Sequence, residues 1–198
     1  GLQRPAGEDP VLSGHRQAGR RQGPDRRQAG RAARVLHRAD DRRDEGSGLS
    51  PDVRRKFLDR LLIQIDKIYA NSLSTYEQAL RRRNKLLDAI REGTASRYSL
   101  TFWDGLLIKH GQIVQETRRE LVEYINDLFK KSDLFKDLSI LYDMSAMSEA
   151  RLLQYKDAEV AVGYTLVGPH KDDLIVKDKS RDLAVYGSRG EQRMAVLA

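Results

Sequence analysis

The residues best suited to chemistry are Ser188-Arg189-Gly190-Glu191-Gln192-Arg193. They follow an apolar, strand-like run and open a helical pattern. A small hydroxyl, a glycine and the free N–H groups of a helix N-terminus together make an anion site. The same spacing satisfies a simpler pattern, since Ser188 with Glu191 three residues on is a capping box that starts an ordinary helix. A second group, Gly168-Pro169-His170-Lys171-Asp172-Asp173, has turn chemistry: Gly and Pro set the chain reversal and Asp172 can bond its own backbone. Its adjacent carboxylates would point to opposite sides of a strand, which argues against a shared metal ion. The four histidines (His15, His37, His110, His170) have no metal-ligand spacing and cysteine is absent. Neither a metal site nor a catalytic residue is expected. Arginine runs at Arg81-Arg82-Arg83 and Arg118-Arg119 fall on polar helix faces, and Arg81, Arg82 and Arg83 either solvate the helix or contact phosphates.

These groups need elements to hold them. Ser50-Pro51-Asp52 is a helix start, with a capping serine, proline at the first helical position and an acid in the first turn. Apolar residues follow at Val53, Phe57, Leu58, Leu61, Leu62, Ile65, Ile68 and Tyr69, then at Leu73, Tyr76, Leu80 and Leu87, ending at Gly93. A second long helix carries Trp103, Leu107, His110, Val114, Thr117, Leu121, Tyr124 and Leu128, a heptad rhythm. The short connection makes the two antiparallel neighbours. Their expected seam joins Phe57, Leu61, Ile65, Tyr69, Tyr76 and Leu80 to Trp103, Leu107, Val114, Leu121 and Leu128, with His110 packed on it. Beyond them come a strand through Leu138, Ile140 and Tyr142, a short helix from Ser145 to about Ala158, and strands over 160–167, 174–176 and 183–186, the last two forming a hairpin. The chain ends at Ala198 just as a last helix begins, an ending expected of part of a larger domain. The fold class is α+β.

Residues 1–48 differ in kind. They lack Phe, Tyr, Trp, Ile, Met, Lys, Asn and Thr, and all their positive charge is arginine. So little apolar surface predicts a disordered tail. A basic arm on nucleic acid, a tail without a role, and out-of-frame translation of GC-rich DNA all fit this composition. The whole chain has 198 residues, a net charge of +7, 33% charged and 39% hydrophobic residues. The charge suits an anionic partner such as nucleic acid. No apolar run approaches the ~20 residues that cross a bilayer, and no secretory segment opens the chain. A soluble, cytoplasmic protein without a membrane partner is expected.

Three runs in order resemble the RecF family of bacterial recombination proteins. They are Ser50–Asp59 with Tyr76–Leu87, then Gly163–Leu174, then Ser188–Arg193. The resemblance covers roughly residues 49–198. It implies a helical arm inserted in an ABC-type, SMC-like ATPase head, here divided as a tail at 1–48, an arm at 49–158 and part of the head with its signature loop at 159–198. It further implies ATP and Mg as cofactors, an ATP-dependent homodimer, binding of single- and double-stranded DNA at gaps, and loading of RecA with RecO and RecR. Ser188, Arg189, Gly190, Glu191, Gln192 and Arg193 would meet ATP held by the other subunit; Arg81, Arg82, Arg83 and Lys171 would contact DNA. Arg189 and Glu191 stand where the family more often has glutamine, and Lys171 where it usually has arginine. Two other readings compete: a non-enzymatic, basic coiled-coil interaction module, and another SMC-like head, which the short hairpin opposes.

The family's phosphate loop and Walker B acids have no counterpart in these 198 residues. Without groups to hold Mg²⁺ and the phosphates, a chain of these residues alone is expected to hydrolyse no ATP. Phosphate release above background that disappears on replacing Ser188 would contradict this.

Overall fold

A computed structural model describes residues 50–186. The expected tail (1–48) and signature loop (188–193) lie outside these residues. The Ser50-Pro51 signal does start a helix, α1 (Pro51–Ile65), and α2 (Lys67–Arg91) follows almost without a gap. The stripe of apolar residues runs through both, so the sequence reads as one helix. Asp66 breaks it: its extended backbone interrupts the helix while its carboxylate caps α2 by accepting from the N–H groups of Ile68 and Tyr69. A single helical turn at Arg97–Leu100 then leads into α3 (Thr101–Lys131), antiparallel to α2 and packed along it.

The expected seam is half right. Tyr69, Tyr76, Leu107 and Val114 are fully buried, as the periodicity requires. On α1 the inward residues are Leu58 and Leu62; Phe57, Leu61 and Ile65 are exposed, the last by 74%. On α3 the stripe after Val114 runs through Arg118, Val122 and Phe129 instead of Thr117, Leu121 and Leu128. The cause is Arg118, an arginine in a core position that apolar periodicity assigns to the surface. Leu121 still packs against the core edge, half-buried, and His110 is half-buried too. Gly111 permits the close approach: a Cβ there would stand 3.0 Å from the Met147 side chain and 3.2 Å from the Tyr76 ring.

The sheet is small and antiparallel. β1 (Leu138–Asp143) pairs with β2 (Asp173–Asp178), Ile140 opposite Val176, and β2 turns back into the two-residue β3 (Arg181–Asp182). Between β1 and β2 lie α4 (Glu149–Val162), capped by Ser148 and ended by Gly163 at φ +85°, and a short 3-10 turn at Pro169–Lys171. Two strand expectations fail. Residues 160–162 finish α4 and 163–168 are irregular, because Glu159 turns inward and carries the helix one turn past Ala158. The hairpin exists, but Leu183–Tyr186 is a helical turn, α5, since β2 finds its partner within two residues of the reversal. Residue 158, expected to close the arm, falls inside α4. No helix among the described residues is long and apolar enough to cross a membrane.

Leu107→Ala is expected to cost ~2–5 kcal/mol in urea unfolding, as a fully buried core leucine, and Ile65→Ala within about 0.5 kcal/mol. Equal costs would place the seam elsewhere.

Candidate functional site: the turn at 168–173 and its arginine clamps

The residues Gly168 to Asp173 sit against the helical hairpin through buried polar contacts. Gly168 has φ +117°, and a Cβ there would overlap the Met147 methyl and the Tyr76 hydroxyl, so only glycine fits. Its N–H donates to the Ser145 carbonyl at 3.0 Å. Pro169 and Lys171 complete the turn, and the 2.8 Å bond from the Lys171 N–H to the Gly168 carbonyl closes it.

Arg118 holds this turn from below. Its guanidinium, 2% exposed, donates to the Pro169 carbonyl at 2.9 Å and to Asp172 at 3.3 Å. The same group donates to Asp59 at 2.8 Å and to the Tyr69 hydroxyl at 3.1 Å. One side chain on α3 thus ties α1, α2 and the turn together. Asp172 is wholly buried and also accepts from Gln115 at 2.9 Å, from the Ser145 N–H at 2.8 Å and from the Tyr142 hydroxyl. Burial pushes its carboxyl above the usual range, against the pull of Tyr142, Arg118 and Gln115. Arg118 stays charged: burial opposes its charge, but Tyr69, Asp59 and Tyr142 outweigh it.

A second buried arginine, Arg83, makes a parallel clamp. It pairs with Asp104 at 2.7 Å and with Glu159 at 2.8 Å, and donates to the Thr165 hydroxyl at 2.9 Å. Asn84 accepts from both the N–H and the hydroxyl of Thr165. Burial raises the Glu159 carboxyl, with Arg83 opposing. His170 links the two clamps. It stands 2.7 Å from the Tyr76 hydroxyl through Nδ1 and 3.0 Å from the Thr165 carbonyl through Nε2. Because a carbonyl only accepts, Nε2 carries the proton and Nδ1 accepts from Tyr76. Burial, with Lys171, Arg55 and Arg83 nearby, lowers the imidazole to about 4, so the ring is neutral.

This geometry sorts the arginines and the turn residues expected to do chemistry. Arg81 and Arg82 are exposed, Arg81 only loosely paired with Glu77 at 3.8 Å. Arg83 is not beside them: it is buried and its donors are engaged inside the protein, so the expected contact with DNA gives way to a structural role. Arg118 likewise leaves the polar face assigned to it. Lys171 packs over the Tyr164 ring at 5.7 Å, half-buried. Asp172 and Asp173 do diverge, Asp173 taking a bidentate bond from Arg54 at 2.8–2.9 Å. No group of three or more metal-capable side chains occurs among the described residues. Sequence reasoning missed Tyr76, Gln115, Tyr142 and Glu159. In the sequence Tyr76 and Tyr142 read as packing residues and Gln115 and Glu159 do not stand out, because their polar atoms are met by residues distant in sequence.

An antiparallel helical hairpin packed on a small sheet is an arrangement this chain shares with proteins described as acting in DNA replication and repair. The "DNA replication and repair protein RecF" of Herpetosiphon aurantiacus is 38% identical over 163 residues, 75% of this chain and 42% of that protein. The protein so described from Lachnoclostridium phytofermentans is 34% identical over 156 residues, 75% of this chain and 43% of its own length. A solved structure described as the recombination mediator protein RecF with ATPrS in the RecFOR pathway has a TM-score of 0.69 at 29% identity, over 76% of this chain and 45% of its own; the ATP form matches equally. No family model matches the chain. The chain belongs to the RecF family over this matched stretch. It spans less than half the length of the curated relatives it matches.

The neutral His170 makes the fold sensitive to acid. Its folded pKa lies below that of a free imidazole, ~6.5, so in the window between the two values the unfolded chain binds more protons. Its contribution is therefore complete above about pH 6.5 and is lost as pH falls toward 4. Glu159 and Asp172, both raised, act in the opposite sense and are common to parent and variant. In urea unfolding between pH 4.5 and 6.5, the parent should lose stability more steeply than His170→Gln, by up to about 1.4 kcal/mol per pH unit. Parallel curves would show that His170 is protonated in the fold.

Proposed function

We propose that this chain is part of an ATP-dependent DNA-binding protein of recombinational repair, acting on gapped, single- and double-stranded DNA and promoting RecA loading with RecO and RecR. The observation that carries this reading is the joint match in sequence and fold to RecF proteins, one of them described with ATP and in the RecFOR pathway. The relatives' names support repair and replication; the solved structures' descriptions support ATP and the RecFOR partners.

Within that reading, Ser188 to Arg193 form the signature loop that meets ATP held by the other subunit of a homodimer, while the residues that hold Mg²⁺ belong to parts of the full-length family outside this chain. The Ser188 hydroxyl donates to a phosphate oxygen and Gly190 lets the backbone approach. The two arginine clamps hold the turn at 168–172, and with it β2, in a fixed relation to the helical hairpin. Arg81, Arg82 and Lys171 supply sequence-blind contacts to phosphates.

The test uses the chain restored to full RecF length. Binding of ATP to one head needs only the phosphate loop, whereas joining two heads adds the Ser188 contact. Losing one hydrogen bond to a charged group costs roughly 1.5–3 kcal/mol, about tenfold to a hundredfold in dimer affinity. Ser188→Arg should therefore leave ATP affinity at low protein concentration unchanged and reduce dimerisation at saturating ATP by at least that much. Collapse of monomer ATP affinity with dimerisation spared would assign this loop a different role.

A further inference from the structure

The net charge of +7 is not carried by the described fold. Residues 50–186 contain 23 Lys and Arg against 21 Asp and Glu, a balance of +2. A phosphate-binding surface on this part of the molecule must therefore be a local concentration of charge. One such concentration exists away from the 168–173 turn, where the end of α3 meets the sheet. A cleft of about 380 Å³ opens there, lined by Asn126, Lys130, Lys136, Asp137, Leu138, Ser139 and Lys179. Three of these are lysines and one is an acid.

Several features of the cleft go beyond a solvated surface. Lys130 lies in the last turn of α3, where a cation complements the helix dipole, and is also paired with Asp127 at 2.9 Å. Lys136 and Lys179 lie off the helix, so that explanation does not cover them. Lys179 adopts φ +57°, the sole non-glycine residue with positive φ among those described, at the reversal between β2 and β3. Its N–H is held by the Asp137 carbonyl at 2.7 Å, which fixes the strained backbone at the rim of the cleft. Its ammonium is 3.9 Å from the Asp137 carboxylate, a loose pairing with both groups more than half exposed. In the β1–β2 register Ser139 lies opposite Lys177 and Leu138 opposite Asp178; cross-strand partners share a face, so a fourth lysine stands beside the cleft together with a carboxylate already paired to Arg181 at 3.3 Å. The polar walls are preset, because the Asn126 amide is locked to both the N–H and the carbonyl of Ile140 at 2.7–2.8 Å.

We infer that this cleft binds a phosphate of a nucleic-acid backbone, with Lys136 and Lys179 as its principal contacts and Lys130 and Lys177 at its edges. The inference rests on the DNA-binding reading above and assigns that reading a surface. An acidic protein segment is the other polyanion that the charge would fit. The lining argues against it: no aromatic residue stands there, and a protein interface draws its affinity from buried aromatic and apolar anchors. Lysines grouped around an open cleft whose one apolar side chain is Leu138 instead suit a repeating phosphate chain, read without regard to sequence.

The test is fluorescence anisotropy of the 198-residue chain with labelled single- and double-stranded oligonucleotides across a salt series. Removing one lysine–phosphate pairing should lower the slope of log affinity against log salt by roughly 0.9 on duplex and 0.7 on single strands. Lys136→Gln/Lys179→Gln should therefore reduce the duplex slope by about two and weaken binding at low salt at least tenfold. Both side chains are exposed, so circular dichroism should be unchanged. Lys156→Gln, an exposed lysine on α4, is the control and should bind like the parent. A double variant matching the parent in slope and affinity would overturn the cleft while leaving DNA binding intact. If the parent binds no oligonucleotide at any salt, the DNA-binding reading and the cleft fall together. Unaltered DNA binding with loss of a fluorescent poly-glutamate peptide would overturn the proposal in favour of a protein partner.

Discussion

The Arg118 guanidinium is the contact on which the rest of the described structure depends. It lies where α1, α2 and a tight turn converge on α3, and each of them reaches it with a polar group: Asp59 from α1, the Tyr69 hydroxyl from α2, the Pro169 carbonyl and Asp172 from the turn. A buried charge is tolerated only when its partners are in place, so the position of each element is conditional on the others. Removing the arginine would leave Asp59 and Asp172 facing each other in a desolvated site, a loss of about 3–5 kcal/mol for a buried pair of this kind. An apolar contact of equal area would not specify the register so tightly, since leucines slide past one another at little cost whereas a five-donor fork does not.

Arg83 repeats this logic one side of the turn away. Its partners come from α3, α4 and the residues following α4, so α4 is tied to the hairpin by charge as well as by Leu152. Between the clamps runs an uncharged relay from Tyr76 through His170 to the Thr165 carbonyl. Its neutrality matters. Burial, with the positive charges of Lys171, Arg55 and Arg83 nearby, keeps the proton off the imidazole. The polar interior is thus arranged as two ion clusters separated by a neutral spacer. The residues from 163 to 173 run over its top and are bonded to the helices through Thr165, Pro169, His170, Asp172 and Asp173.

That arrangement bears on how such a chain would transmit events. The turn leads directly into β2, which is followed by β3 and α5. A helical hairpin and a strand joined through buried charge move as a unit, because partial separation leaves unpaired ions in an apolar interior. The exposed lysines at the far end of the hairpin lie on the same rigid assembly. A backbone phosphate bound there would press on the helices and the sheet together, through α3 and β1, whose contact Asn126 fixes.

By itself the sequence determined the class and most of the elements. Ser50-Pro51 set the first helix, heptad spacing set the antiparallel hairpin, alternation set β1, and three ordered runs carried the RecF resemblance. It also showed that the Gly168–Asp173 turn was special, without showing why. What it misplaced shares one physical cause. Apolar periodicity assumes that charged residues face water, so Arg83 and Arg118 were assigned outward, and the seam beyond Val114 was displaced by one residue toward Leu121 and Leu128. Likewise Asp66 looked like one more polar position in a continuous helix, although its carboxylate caps a new one. Burial of an arginine is decided by whether carboxylates distant in sequence arrive to meet it: Asp59 is 59 residues from Arg118, Asp172 is 54, and Glu159 is 76 from Arg83. No local pattern encodes such a meeting. Only the tertiary structure decides it, because the cost of desolvating each charge is offset when all the partners are present at once, and not before.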